Sequence, residues 1–114
     1  MKSLITFFLS LFALLLICNG LVFSEEFTVD LDAGEQVFSQ NCVSCHAGGN
    51  NLVNPEKTLQ FTDLTKNSKN SVGAIVNQVT NGANGMPIFS GRLSEEDIFN
   101  VANYVFNQAK SESW

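Results

Sequence analysis

The stretch Cys42-Val43-Ser44-Cys45-His46 decides how the rest of the chain reads. Its pattern, C-x-x-C-H, is the attachment signal for a c-type haem. The spacing follows from the chemistry. Two thiols separated by two residues reach the two vinyl groups on one edge of a porphyrin and form thioethers. The histidine that follows is carried beneath the ring, where it can ligate iron. C-x-x-C by itself is a weaker signal, because redox dithiols and zinc knuckles share it.

The supply of other ligands narrows the choice. The chain has three cysteines, one histidine and two methionines. Cys18 lies in an N-terminal apolar run that Met1 begins. Beyond that run the soft or imidazole ligands are Cys42, Cys45, His46 and Met86. A structural zinc site takes four ligands, which two cysteines and one adjacent histidine do not supply without carboxylates. A thioredoxin-like dithiol calls for a βαβ pattern nearby, and none is visible. A disulfide between Cys42 and Cys45 would leave His46 and Met86 unexplained.

A haem accounts for all four residues: Cys42 and Cys45 as thioethers, His46 as the proximal iron ligand and Met86 as the distal one. Met86 sits in Gly82–Arg92, a stretch without helical period and with three glycines, and Pro87 biases it toward extended backbone. Met/His ligation raises the haem potential and leaves the iron no open position. The site is therefore expected to pass single electrons. His46 is already used, so no distal acid or base remains for oxygen or peroxide chemistry, and the chain reads as a carrier rather than an enzyme.

Residues 1–24 read as a cleaved Sec-type signal peptide. Lys2 supplies the positive start, Leu4 to Ile17 is almost unbroken apolar sequence, and the cut is expected between Gly20 and Ser24. The alternative is an uncleaved helix that anchors the chain, since about 20 apolar residues span a bilayer. Residues 25–114 form one small domain, with no stable membrane insertion expected after cleavage. Five cations there (Lys57, Lys66, Lys69, Arg92 and Lys110) face eleven acidic residues. Such a surface argues against nucleic acid and suits steering toward a basic partner patch.

Along the domain, Asp32 is the expected cap of a helix from Ala33 to about Cys42, with Gly34, Val37 and Phe38 on its inner side. Gly48 to Asn51 is a turn signal, and Thr62 to Lys69 reads as a polar loop. Ser71 caps a helix to about Asn81, whose Val72, Ile75, Val76 and Val79 share one face. Ser94 to Asp97 opens a last helix with the inner stripe Ile98, Val101, Ala102 and Val105. No segment has a convincing strand pattern. The fold class is all-α, with about four short helices around one covalently bound haem, on which Leu59, Leu64, Ile75, Val79, Ile88 and Phe89 are expected to pack. So thin a core is marginal alone, and the haem-free chain is expected to be largely unfolded.

From about Asp30 to Trp114 the chain resembles the cytochrome c6 family, small photosynthetic class I c-type cytochromes of algae and cyanobacteria. The likeness rests on Asp30-Leu31-Asp32-Ala33-Gly34-Glu35, Phe38, Asn41, Cys42 to His46, Ala47-Gly48-Gly49-Asn50-Asn51 and Lys57-Thr58-Leu59. It continues through Gln78-Val79-Thr80-Asn81-Gly82, Met86-Pro87, Phe89, Gly91-Arg92-Leu93, Asp97-Ile98, Ala102-Asn103-Tyr104-Val105 and Trp114. C-x-x-C-H marks any class I cytochrome c, whereas the Ala-Gly-Gly-Asn-Asn run and the setting of Gln78 are more specific. Ser90 stands where the family often has Gly.

The resemblance implies a small class I cytochrome c fold with one haem c per chain. It implies a soluble electron carrier in the thylakoid lumen, plastid or cyanobacterial. Such a carrier accepts electrons from cytochrome f of the cytochrome b6f complex and donates them to photosystem I, with a terminal oxidase as a further acceptor in some members. It also implies that Gln78 lies beside the haem and helps set its potential, and that Arg92 takes part in docking to photosystem I. The alternative assignment is a membrane-anchored or enzyme-associated cytochrome module feeding a terminal oxidase.

Overall fold

The computed structural model describes residues 1–18 and 26–114. Among these residues it is helical, with two isolated β-bridges and no strand. The helices are α1 (Lys2–Cys18), α2 (Leu31–Asn41), α3 (Val43–His46), α4 (Phe61–Lys66), α5 (Val72–Asn81) and α6 (Glu95–Lys110). The expected cleavage stretch from Gly20 to Ser24 lies outside the described residues. The side chains of residues 1–16 are exposed, and the core takes none of them. Among the described residues no helix is long and apolar enough to cross a membrane.

The core forms where α2 and α5 pack on α6. α2 starts two residues earlier than its sequence suggests. Asp30, not Asp32, is the cap: its side chain accepts the Ala33 N–H at 3.0 Å. Asp32 sits in the first turn, where a carboxylate suits the helix dipole. The choice is settled from a distance, because the buried Asn100 of α6 accepts the Asp30 N–H at 3.1 Å. A tertiary bond thus selects between two acceptable caps.

Gly34 lets the two helices touch. A Cβ there would lie 2.8 Å from the Asn100 carbonyl carbon and from Tyr104 Cβ, and closer still to the Asn100 oxygen. Phe38, one turn on, is buried against the core.

α6 is the spine. Ser94 caps it by accepting the Asp97 N–H at 3.0 Å, and Glu95, Glu96 and Asp97 fill the first turn. Ile98, Val101, Ala102, Val105 and Ala109 form its buried stripe, and burial of each branched side chain contributes about 1.5–3 kcal/mol. α5 is capped as expected by Ser71, buries Ile75 and Val79, and ends at Gly82 with a positive φ of 67°.

α4 replaces the expected loop. The sequence 61–66 has no apolar period, and one residue, Leu64, is buried. The turn is held from outside it: Thr58 Oγ1 donates to the Asp63 carboxylate, and Asn67 Nδ2 donates to the Asp63 carbonyl at 2.8 Å. The C-terminal end is tied by the Lys69 N–H to the Leu64 carbonyl at 2.7 Å. Side-chain ties and one anchor outweigh weak propensity.

Candidate functional site

Cys42 closes α2. Its N–H bonds the Phe38 carbonyl, and its backbone (φ −120°, ψ −29°) breaks the helix. The chain then restarts as the single turn α3, which carries Cys45 and His46. Both thiols are half-buried and unpaired with each other. Burial, with a smaller effect from nearby Cys45, pushes the Cys42 thiol up from 9.0 to about 11. Burial thus favours the neutral thiol at this position. Among the described residues no group of three or more His, Cys, Asp or Glu is placed to hold a metal ion.

His46 has a fixed tautomer. Its Nδ1 lies 2.8 Å from the Asn50 carbonyl oxygen. A carbonyl only accepts, so Nδ1 carries the proton and donates it, leaving Nε2 with a free lone pair. This is the usual arrangement behind a metal-bound imidazole.

Met86 is placed by a tight turn. Ala83 and Met86 exchange backbone bonds: Ala83 N–H to the Met86 carbonyl at 3.1 Å and Met86 N–H to the Ala83 carbonyl at 2.9 Å. The chain then returns along the end of α5, where Phe89 N–H donates to the Val79 carbonyl at 3.1 Å and Ser90 N–H to the Thr80 carbonyl at 3.3 Å. These bonds satisfy carbonyls that a helix end leaves open. They also fix the methionine on a segment with little intrinsic order. On α5, the Gln78 amide Nε2 points a proton at Met86 Sδ, 4.0 Å away.

Cys42, Cys45, His46, Gln78 and Met86 line one cavity of about 380 Å³, within the range of cofactor sites. Its apolar walls include Phe38, Leu59, Leu64, Ile75, Val79, Phe89, Val101 and Val105. Of the side chains expected to pack on a haem, Ile88 is the exception. It is 59% exposed and does not line the cavity, because Phe89 is the residue that turns inward from that loop. Polar residues line it too, among them Asn51, Asn54, Lys57, Thr58, Asp63, Asn67 and Lys69. The lining therefore suits a largely apolar cofactor that also carries polar groups, and it offers nitrogen and sulfur donors to a metal.

Arg92 lies outside this cavity. It is exposed, with its guanidinium 5.4 Å from the ring centroid of Phe89, so it stands on the outer side of a residue that forms the wall.

Four contributors escaped the sequence reading. The Asn50 carbonyl is a backbone group, and no side-chain pattern advertises it. Asn51 braces the next turn, donating to the Lys57 carbonyl at 2.9 Å and accepting the Val53 and Asn54 N–H groups. Val101 and Val105 read as ordinary helix core, yet they also floor the cavity.

Comparison with known proteins places the chain among its relatives. Residues 29–105 match the family described as "Cytochrome C oxidase, cbb3-type, subunit III". Cytochrome c6 of Gracilaria tenuistipitata var. liui is 53% identical over 105 residues, covering 89% of this chain and 95% of the relative. Cytochrome c6 of Cyanidioschyzon merolae is 52% identical over 110 residues, covering 96% and 97%. Among solved structures, cytochrome c6 of the diatom Phaeodactylum tricornutum superposes with a TM-score of 0.70 at 49% identity, covering 72% of this chain and 97% of that one.

Proposed function

The chain belongs to the cytochrome c6 family, within the broader cytochrome family matched over residues 29–105, and from that premise we propose how it carries electrons. As a family member it is an electron-carrier cytochrome. In our reading Cys42 and Cys45 hold one haem c per chain through thioethers, His46 is the proximal iron ligand and Met86 the distal one. The observation that supports this is the convergence of these four side chains on one cavity of about 380 Å³.

A haem bound there supplies a one-electron ferric/ferrous couple. The residues do the rest. The Asn50 carbonyl holds the His46 proton on Nδ1 and so presents Nε2. The Met86 thioether is a soft donor that favours the reduced state. Gln78 directs an N–H at that sulfur and draws density from it. Phe38, Val101 and Val105 exclude water, which lowers the reorganisation accompanying a change of charge. With His46 and Met86 both serving as iron ligands, the protein would leave the metal no open site for oxygen or peroxide.

The electron donor in this reading is cytochrome f of the cytochrome b6f complex and the acceptor is photosystem I, in the thylakoid lumen after export and cleavage between Gly20 and Ser24. Arg92, exposed beside the Phe89 wall, is the proposed docking cation. The description of the matched family as an oxidase subunit favours a second reading, in which a terminal oxidase also accepts electrons. Flash-induced oxidation of the purified mature protein by photosystem I tests the assignment. Arg92→Gln is expected to slow it with the haem spectrum intact, and the loss is expected to shrink at high salt. Unchanged kinetics at low salt would remove Arg92 from docking. N-terminal sequencing of the mature chain separates a cleaved leader from an anchor: a start at Met1 or Lys2 would overturn export with cleavage.

A further inference from the structure

We infer that Trp114 is a positioning residue for the His46 imidazole, acting through the Gly49–Asn50 turn; the inference rests on the ligation reading above. Beyond the end of α6 the chain reverses. Glu112 takes a φ of +52°, Ser113 N–H donates to the Gln108 carbonyl at 2.9 Å, and Gln108 Nε2 donates to the Ser113 carbonyl at 3.2 Å. This reversal lays the indole on the loop that follows the haem-attachment stretch.

The indole grips that loop in two ways. Its Nε1–H donates to the Leu59 carbonyl at 3.0 Å, and the Leu59 N–H donates in turn to the Gly49 carbonyl at 2.7 Å. The ring also covers Gly49 closely: a Cβ there would lie 2.6 Å from indole Cδ2 and 2.7 Å from Cδ1. Phe38 and Tyr104 also pack against the ring, with centroids at 5.3 and 6.1 Å. Gly49 is followed by Asn50, whose carbonyl receives the His46 Nδ1–H at 2.8 Å. The path runs from the tail beyond α6, through Leu59 and Gly49, to the acceptor that fixes the imidazole.

The consequence is chemical as well as mechanical. The bond on Nδ1 sets the ring orientation and raises the basicity of Nε2. An acceptor on a clamped turn holds that bond continuously, whereas an acceptor on a loose turn releases it part of the time. A looser bond makes a poorer donor to ferric iron, so the ferrous state gains.

The test uses the holoprotein with Trp114→Ala and Trp114→Phe. NMR of the reduced state reads solvent exchange of the His46 Nδ1–H, with the Val101 amide as the reference for the core. A redox titration reads the midpoint potential. Trp114→Ala is expected to speed exchange of the His46 proton by up to about tenfold, the worth of one hydrogen bond, and to raise the midpoint, with Val101 unchanged. Trp114→Phe keeps a ring over Gly49 but cannot donate to Leu59, and about a threefold increase is expected. A His46 proton that stays put, or one that speeds up only in step with Val101, overturns the inference. If the alanine variant does not fold, wild-type exchange and midpoint in Trp114→Phe overturn it. A wild-type holoprotein without any haem-shifted His46 proton defeats the ligation reading as well, whereas a proton present but indifferent to Trp114 defeats this inference alone.

Discussion

Replacing Gly34 by alanine separates two physical effects that act with opposite sign. Gly34 lies within α2, and alanine is the better helix former by about 1 kcal/mol. On propensity alone, Gly34→Ala stabilises the protein. The packing says otherwise. The new methyl would sit 2.8 Å from the Asn100 carbonyl carbon and from Tyr104 Cβ, and would overlap the Asn100 oxygen. The obstruction is mostly backbone, which cannot swing aside as a flexible side chain would. α2 and α6 must separate, and the Asn100 bond to the Asp30 N–H, which ties the start of α2 to α6, stretches with them.

Overpacking a tight site costs about 1–3 kcal/mol, and this site belongs at the upper end. Subtracting the propensity gain leaves a net loss of about 2 kcal/mol. For a domain of this size that lowers Tm by roughly 8–16 °C. Thermal melts of the mature holoprotein followed by far-UV circular dichroism read it directly. An unchanged or higher Tm would refute the close-crossing argument, because it would mean that propensity decides at this position.

Two further outcomes follow from the site. Gln78→Val removes the N–H aimed at Met86 Sδ, so the sulfur becomes a better donor to ferric iron and the midpoint potential falls. A weak bond of about 0.5–1 kcal/mol corresponds to roughly 20–45 mV for one electron, and a potential that rises or stays would show the contact to be idle. The mature chain made without haem, as Cys42→Ser/Cys45→Ser, would carry an empty cavity of about 380 Å³. Its apolar walls would lose the partner that packs them, and a domain of this size is marginal on its own core. Circular dichroism should show no cooperative melt, and a sharp transition in this variant would contradict the view that the haem completes the core.

Much of the molecule was legible because its signals are local. Ser71 caps the helix it was expected to cap, Ser94 to Asp97 open the last one, the stripe Ile98/Val101/Ala102/Val105 is buried, and of the α5 face Ile75 and Val79 are buried while Val72 and Val76 are half-buried. Cys42, Cys45, His46 and Met86 could be gathered because few other ligands compete. What could not be read depends on contacts between distant residues. Asp30 and Asp32 are equivalent caps until Asn100, seventy positions on, accepts the Asp30 N–H. α4 has almost no pattern of its own and is held by Thr58, Asn67 and the burial of Leu64. Ile88 and Phe89 are both apolar neighbours of Pro87, and the bond from the Phe89 N–H to the Val79 carbonyl helps turn the second inward. The Asn50 carbonyl and the indole of Trp114 belong to the same class: a backbone acceptor and an aromatic beyond a helix end carry no periodic signal.

In our proposal His46 and Met86 ligate one haem held by Cys42 and Cys45. The direct measurement is a reduced-minus-oxidised visible spectrum of the mature protein, including the weak absorption near the red end that reports sulfur–iron ligation, repeated on Met86→Ala. The expected result is a c-type spectrum whose sulfur band is present in the wild type and absent from the variant. A wild-type spectrum without that band, or a band that survives the substitution, would contradict it.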